Sequence, residues 1–133
     1  MHITLEADYA VRIVDCLSKA TGRIDAKTIA EHTNVTLRFS LKILRKLVAA
    51  GIVKSYKGTR GGYELAKPAE ELSLYDVIHT VEGPYALSRC IAPDFVCSCN
   101  CTKDTSCRFH AVFKEISDSV IEKLEAVTFA DDM

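Results

Sequence analysis

At 133 residues the chain is the size of one domain, or of one small domain with an appended helix, and its 48% apolar composition suits a single core and excludes a disordered segment. No apolar run approaches the roughly twenty residues needed to cross a bilayer, and the start, with His2, Glu6 and Asp8, lacks the basic-then-apolar pattern of a secretory signal, so a cytoplasmic protein without a membrane partner is expected. The net charge of −1 conceals segregation: residues 36–67 carry eight basic side chains against Glu64 alone, a balance of plus seven, and residues 68–133 carry twelve acidic against five basic, a balance of minus seven. A basic middle in a near-neutral chain suits a polyanion-binding face, although a solvated helix surface would carry the same charge.

In chain order, Leu5, Tyr9, Ala10, Ile13, Val14 and Leu17 recur at three and four, which predicts an amphipathic helix over 4–19, closed near Gly22. Cys16 sits on or beside its apolar face as packing. Asp25 is a good N-cap for a short helix over 26–32 that carries Ile29 and Ala30 inward. After the Thr33-Asn34 break a longer helix is expected over 36–50, with Leu37, Leu41, Leu44, Leu47 and Val48 as its inner stripe and Gly51 as terminator. Two helices joined by a short turn, the second bearing the basic residues, form a helix-turn-helix.

Residues 52–56 read as a strand, Lys57-Gly58-Thr59-Arg60-Gly61-Gly62 as a turn and residues 63–66 as the returning strand. This hairpin is a wing, and its glycine-flanked cations suit a phosphate backbone or a minor groove. The expected DNA contacts are Thr36, Arg38, Phe39, Ser40 and Lys42 at the exposed start of the second helix of the pair, and Lys57, Thr59, Arg60 and the Gly61 backbone in the wing. Arg45 and Lys46 lie further along, toward phosphates or solvent. Ser73 and Asp76 resemble a capping box opening a helix over 74–81, which Gly83-Pro84 ends.

Five of the six cysteines then fall between Cys90 and Cys107, in a polar setting that core filling does not explain. A metal or redox centre follows, with iron–sulfur placed before zinc and zinc before a disulfide. The alternation of Cys97, Cys99 and Cys101 keeps zinc open, and direct thiol oxidation is a further route. From about Ser106 the chain turns helical, with Phe109, Val112, Phe113, Ile116, Val120, Ile121, Leu124 and Val127 forming a stripe, and Cys107 and His110 share one face at its start. So apolar a terminal helix is expected to bury itself in a two-fold homodimer together with the first helix.

The architecture expected is mainly α with a small β-hairpin: a winged helix-turn-helix DNA-binding domain (1–83), a cysteine-rich sensor loop (84–106), and a dimerisation helix and tail (107–133). An enzyme is not expected. The chain lacks a nucleotide-binding glycine loop, paired carboxylates at a useful spacing and a thiol pair flanking two residues.

The chain resembles the Rrf-type family of bacterial winged-helix regulators, which includes IscR, NsrR, RirA and CymR. The likeness rests on Asp8-Tyr9-Ala10-Val11-Arg12, Leu44, Leu47, Ala50-Gly51-Ile52-Val53, Ser55, Gly58, Gly61-Gly62-Tyr63, Leu65-Ala66, Leu74, Asp76-Val77-Ile78 and Val81-Glu82-Gly83, followed by cysteines and a long helix. It implies a homodimer on pseudo-palindromic, double-stranded operator DNA, and a two-iron or four-iron cluster. Cys90, Cys101 and Cys107 match the family's thiolates, His110 the histidine of IscR-like members, and Asp8 the carboxylate that NsrR-like members supply across the dimer. Ten residues separate Cys90 from Cys101, more than is usual in the family, so Cys97 and Cys99 stand as alternate ligands. A cluster-free regulator of cysteine metabolism is the other reading the resemblance allows.

Overall fold

The computed structural model describes residues 2–92, 95 and 107–130, in five α-helices and one hairpin. Helix α1 (Leu5–Ser18) starts where the Thr4 side chain accepts the Ala7 N–H, and it buries Ala7, Ala10, Ile13, Val14 and Leu17. Helix α2 (Ala26–Thr33) is capped by Asp25, whose carboxylate accepts the Thr28 N–H at 2.9 Å, and ends at Asn34 in the left-handed conformation (φ 55°). Both caps satisfy N–H groups that a helix start leaves open.

Helix α3 (Leu37–Ala49) is capped by Thr36 and buries Ser40, Ile43, Leu44 and Leu47. The inner face therefore differs from the expected leucine stripe. Leu37 is 47% exposed, Leu41 and Val48 are half-buried, and Ile43 and Ser40 occupy the core side. The residues at 40, 43, 44 and 47 trace one continuous helical face, whereas Leu37 in the first turn projects beyond the core.

Strands β1 (Val53–Tyr56) and β2 (Gly62–Leu65) pair antiparallel, with Val53 opposite Leu65 and Tyr56 opposite Gly62. An addition that the sequence pattern did not suggest lies on the outer edge of β2: Ile24 exchanges both backbone hydrogen bonds with Tyr63, at 3.0 and 2.8 Å, tying the α1–α2 connection to the wing.

Helix α4 (Leu74–Glu82) opens with a complete capping box. Ser73 accepts the Asp76 N–H at 3.1 Å and Asp76 accepts the Ser73 N–H at 3.0 Å, so Asp reaches back as Glu or Gln usually does. Helix α5 (Arg108–Ala126) starts after Cys107, and its tail returns to the core: Leu74 donates to Val127 at 2.9 Å and Phe129 to Leu72 at 3.1 Å.

The core gathers Ala10, Ile13, Val14 and Leu17 of α1, Ile29 of α2, Ile43, Leu44 and Leu47 of α3, and Ile52, Val53, Leu72 and Val77. Each fully buried aliphatic side chain among them contributes about 1.5–3 kcal/mol. One face of α3 thus fills the interior, which fixes the other toward solvent. No helix among the described residues is long and apolar enough to cross a membrane.

Candidate nucleic-acid interface

At the start of α3, Thr36, Leu37, Arg38 and Phe39 are exposed side by side. Phe39 is held edge-on against Tyr9 of α1, with ring centroids 5.6 Å apart at 84°, and the Lys42 ammonium sits 5.5 Å from the Phe39 ring. Lys42 and Lys46 converge on Glu6 of α1, at 3.7 and 2.7 Å. The hydrogen bond from Lys46 holds the Glu6 carboxyl below its ordinary value, against the opposing effect of burial. Arg45 is exposed one turn beyond.

Ser40 corrects the expected contact surface. It is fully buried, and its hydroxyl has no hydrogen-bond partner among the described residues. It faces the interior with Ile43 and Leu44, away from the surface that Arg38 and Phe39 share. Leu37 moves the other way, and adds an apolar side chain to the exposed helix start that the leucine pattern had assigned to the core.

In the wing, Lys57, Thr59 and Arg60 are exposed around a turn closed by the Gly61 N–H on the Gly58 carbonyl at 2.9 Å. Gly61 has a packing reason to be glycine, since a Cβ there would stand 2.5 Å from the Tyr56 carbonyl oxygen. Gly62, at φ +141°, would bring a Cβ within 2.7 Å of the Ile24 carbonyl oxygen. The Arg23 guanidinium, which the charge count left outside the basic middle, lies 3.4 Å from the centroid of the Tyr56 ring. The Tyr56 hydroxyl donates to Glu64 at 2.6 Å, and this bond raises the phenol above its ordinary value.

The cysteine-bearing end is described on both sides of its loop. Cys90 sits half-buried in a single 3₁₀ turn over Arg89–Ile91, its sulfur 3.3 Å from the Ser88 hydroxyl. That turn packs on α5, and the Leu87 N–H donates to the buried Ser117 hydroxyl of α5 at 2.9 Å. Cys107 occupies the N-cap of α5, with no capping bond from its own side chain, and His110 follows in the first turn, both half-buried. Cys97, Cys99 and Cys101 lie outside the described residues. Asp8 is partly exposed and ion-paired to Arg12 of the same helix at 2.8 Å. Cys16 is half-buried in α1, and burial pushes its thiol up, away from the reactive thiolate.

Among the described residues no three His, Cys, Asp or Glu side chains are gathered for a metal ion. Cys90, Cys107 and His110, all described, are thus not brought together into such a group. As a donor set, thiolates with one imidazole or carboxylate fit iron–sulfur chemistry.

A family model described as Rrf2, iron-dependent transcriptional regulator, matches residues 3–133. The chain belongs to the Rrf2 family. Among curated relatives, the aau3 protein of Rhizobium meliloti is 30% identical over 132 residues, covering 98% of this chain and 84% of aau3. Among solved structures, CymR, the global cysteine regulator of B. subtilis, is similar at TM-score 0.79 and 28% identity, covering 98% of this chain and 95% of CymR. IscR of T. potens has the same fold at TM-score 0.78 and 24% identity, over 98% of this chain and 85% of IscR.

This Rrf2 protein is accordingly a DNA-binding transcriptional regulator with a winged helix-turn-helix, and not an enzyme. Its cationic α3 start and wing are the elements that such a fold presents to a duplex.

Proposed function

We propose that this Rrf2 protein is a homodimeric repressor whose operator affinity is set by an iron–sulfur cluster on Cys90, Cys101 and Cys107, completed by His110 or by Asp8 of a second copy. Cys97 and Cys99 are alternates. The observation that supports the reading is that the Cys90 turn packs on α5, the same helix that Cys107 N-caps, which places a cysteine on each side of residues 93–106 against one element. The same reading divides the chain at 1–83, 84–106 and 107–133 into reader, sensor and dimerisation helix.

Such a cluster, when bound, supplies a centre sensitive to iron supply, oxidant or nitric oxide, because thiolate-held iron with one weaker ligand is easily lost or modified. The chain's own residues do the rest. Holding both thiols fixes the start of α5 relative to residues 87–91. Asp8 and Glu6 lie in one turn of α1, and Glu6 grips Lys46 of α3, so a pull on Asp8 reaches the reading helix through a short, packed path. As a ligand, Asp8 would share or give up its ion pair with Arg12, so that pair competes for the same carboxylate.

For the operator, Arg38 is assigned to a guanine edge, a bidentate contact of about 1–3 kcal/mol. Leu37 is assigned to a thymine methyl, and Thr36, Phe39 and Lys42 border them. Lys57, Thr59, Arg60 and the Gly61 backbone are assigned to the phosphates or the minor groove. The likeness to CymR favours a second reading, a cluster-free regulator answering to cysteine supply.

Protein purified without air, with its visible spectrum and iron and sulfide content, separates the two. A coloured, sulfide-bearing wild type and a colourless but folded Cys107→Ala with altered operator affinity support the cluster. Colourless, iron-free protein after reconstitution leaves the CymR-like reading; zinc alone in the preparation leaves a metal-held loop without redox chemistry.

A further inference from the structure

The wing is braced from one side by a residue that lies outside the helix-turn-helix and the hairpin. Arg23, in the α1–α2 connection, is exposed, and its guanidinium stacks on the Tyr56 ring at 3.4 Å. One of its nitrogens, Nη1, donates to the Arg60 carbonyl at 3.4 Å. Next to it, Ile24 is hydrogen-bonded in both directions to Tyr63. Tyr56 is itself fixed by its hydroxyl bond to Glu64. The guanidinium is thus held on a fixed platform beside the wing turn.

We propose that Arg23 is a DNA-phosphate contact, a cation that extends the wing's footprint from Lys57 and Arg60 to the start of α2. The inference rests on the DNA-binding reading. A guanidinium stacked on an aromatic face keeps its N–H groups in its own plane, parallel to the ring, so their edge stays open to an anion and little side-chain freedom remains to be lost when it meets one. Of the acids on this side, Asp25 is engaged as the α2 cap through the Thr28 N–H and Glu64 accepts the Tyr56 hydroxyl. The long bond to the Arg60 carbonyl and the interaction with the Tyr56 hydroxyl engage part of the fork, and its other N–H donors are available to a ligand with several acceptors, which a phosphate group is.

The test is binding to a duplex of arbitrary sequence, which reports phosphates alone, measured across a salt series for wild type, Arg60→Ala, Arg23→Ala, Arg23→Gln and Arg23→Lys. Arg23→Gln keeps much of the side chain and removes the charge, so it carries the test should Arg23→Ala melt early. The expected result is that Arg23→Ala and Arg23→Gln bind about five- to tenfold more weakly at physiological salt, and that the slope of log affinity on log salt falls by about 0.9. Arg23→Lys keeps the wild-type slope. An unchanged slope in Arg23→Gln, whether or not affinity falls, overturns the contact, because a clasp that only shapes the wing loses affinity without releasing a counterion. Wild-type protein that shows no salt-dependent binding overturns the DNA reading itself; wild type and Arg60→Ala behaving as expected while Arg23→Gln matches wild type overturns this proposal alone.

Discussion

Glu6 on α1 lies 2.7 Å from Lys46 and 3.7 Å from Lys42 on α3, so a carboxylate is set into the cationic side of the reading helix. Two effects oppose each other there. The cations hold Glu6 ionised, and Glu6 screens the cations from DNA. Glu6→Gln is expected to cost about 0.2–1 kcal/mol of stability at neutral pH. The same change is expected to raise duplex affinity roughly threefold, with a steeper salt dependence, because Lys42 and Lys46 become available to phosphates.

The Glu6 carboxyl is held below its ordinary value of 4.5, which fixes the sign of a pH effect. A depressed carboxyl contributes stability that is present above its unfolded value and is lost as pH falls through the folded one. Wild type is therefore expected to be more stable than Glu6→Gln at pH 7, and the two melting curves to converge once the pH drops below the depressed value. Melting temperatures of both proteins down an acid series check this; a constant gap would assign the difference to something other than the carboxylate charge.

Ser40 offers a test in which losing a hydroxyl is expected to do no harm. The side chain is buried, its oxygen finds no partner among the described residues, and alanine is the better helix former. Ser40→Ala is expected to be neutral or to stabilise by up to about 1 kcal/mol, and to leave operator affinity unchanged. Chemical denaturation and operator binding read the two effects separately. A selective loss of operator affinity without loss of stability would return Ser40 to the interface.

The helices, their caps and the hairpin were legible because each is written locally. Asp25 and Ser73 are placed where their side chains meet the first free N–H groups, and the glycines at 58, 61 and 62 mark the turn, whereas Thr36, read as the first helical residue, is the cap of α3. Three features were not legible. Ser40 and Leu37 exchanged places because a leucine in the first turn of a helix satisfies the pattern whether or not a core lies beneath it. The pairing of Ile24 with Tyr63 joins residues far apart in the chain, and no periodicity marks a single bridging residue. Arg23 was missed for the same reason, since its neighbours Tyr56 and Arg60 come from the wing.

Gly62 tests the pairing on that edge. At φ +141°, with the Ile24 carbonyl oxygen 2.7 Å from where a Cβ would stand, alanine must push the α1–α2 connection and the wing apart. Gly62→Ala is expected to destabilise by about 1–3 kcal/mol, and to weaken duplex binding more than Thr59→Ala does, because it displaces Arg60 and Arg23 together. Gly58→Ala is a control for backbone strain alone, since its φ is +93° but nothing lies near its missing Cβ. Equal losses in Gly58→Ala and Gly62→Ala would mean that the contact with Ile24 has no part in setting the wing.

Helix α5 carries the dimer expectation. Its inner half rests on α4, but Phe109, Val112, Phe113 and Ile116 are exposed, Val112 at 50% and Ile116 at 44%, on the half nearest Cys107. A row of this kind on one helix is a contiguous apolar patch of the sort that marks an interaction surface, and the proposed second copy is its natural cover. Ile116→Glu is expected to leave the melting of the single chain within about 0.5 kcal/mol, since the side chain already faces solvent there. It is expected to weaken dimerisation by about a hundredfold or more, because a carboxylate would be desolvated at the centre of the contact. Sedimentation at graded concentrations reads the assembly directly, and operator binding should fall with it as two linked half-site contacts become one. A dimer that persists unchanged with glutamate at this position would move the interface off the exposed half of α5, and with it the route by which Cys107 of one copy could act on Asp8 of the other.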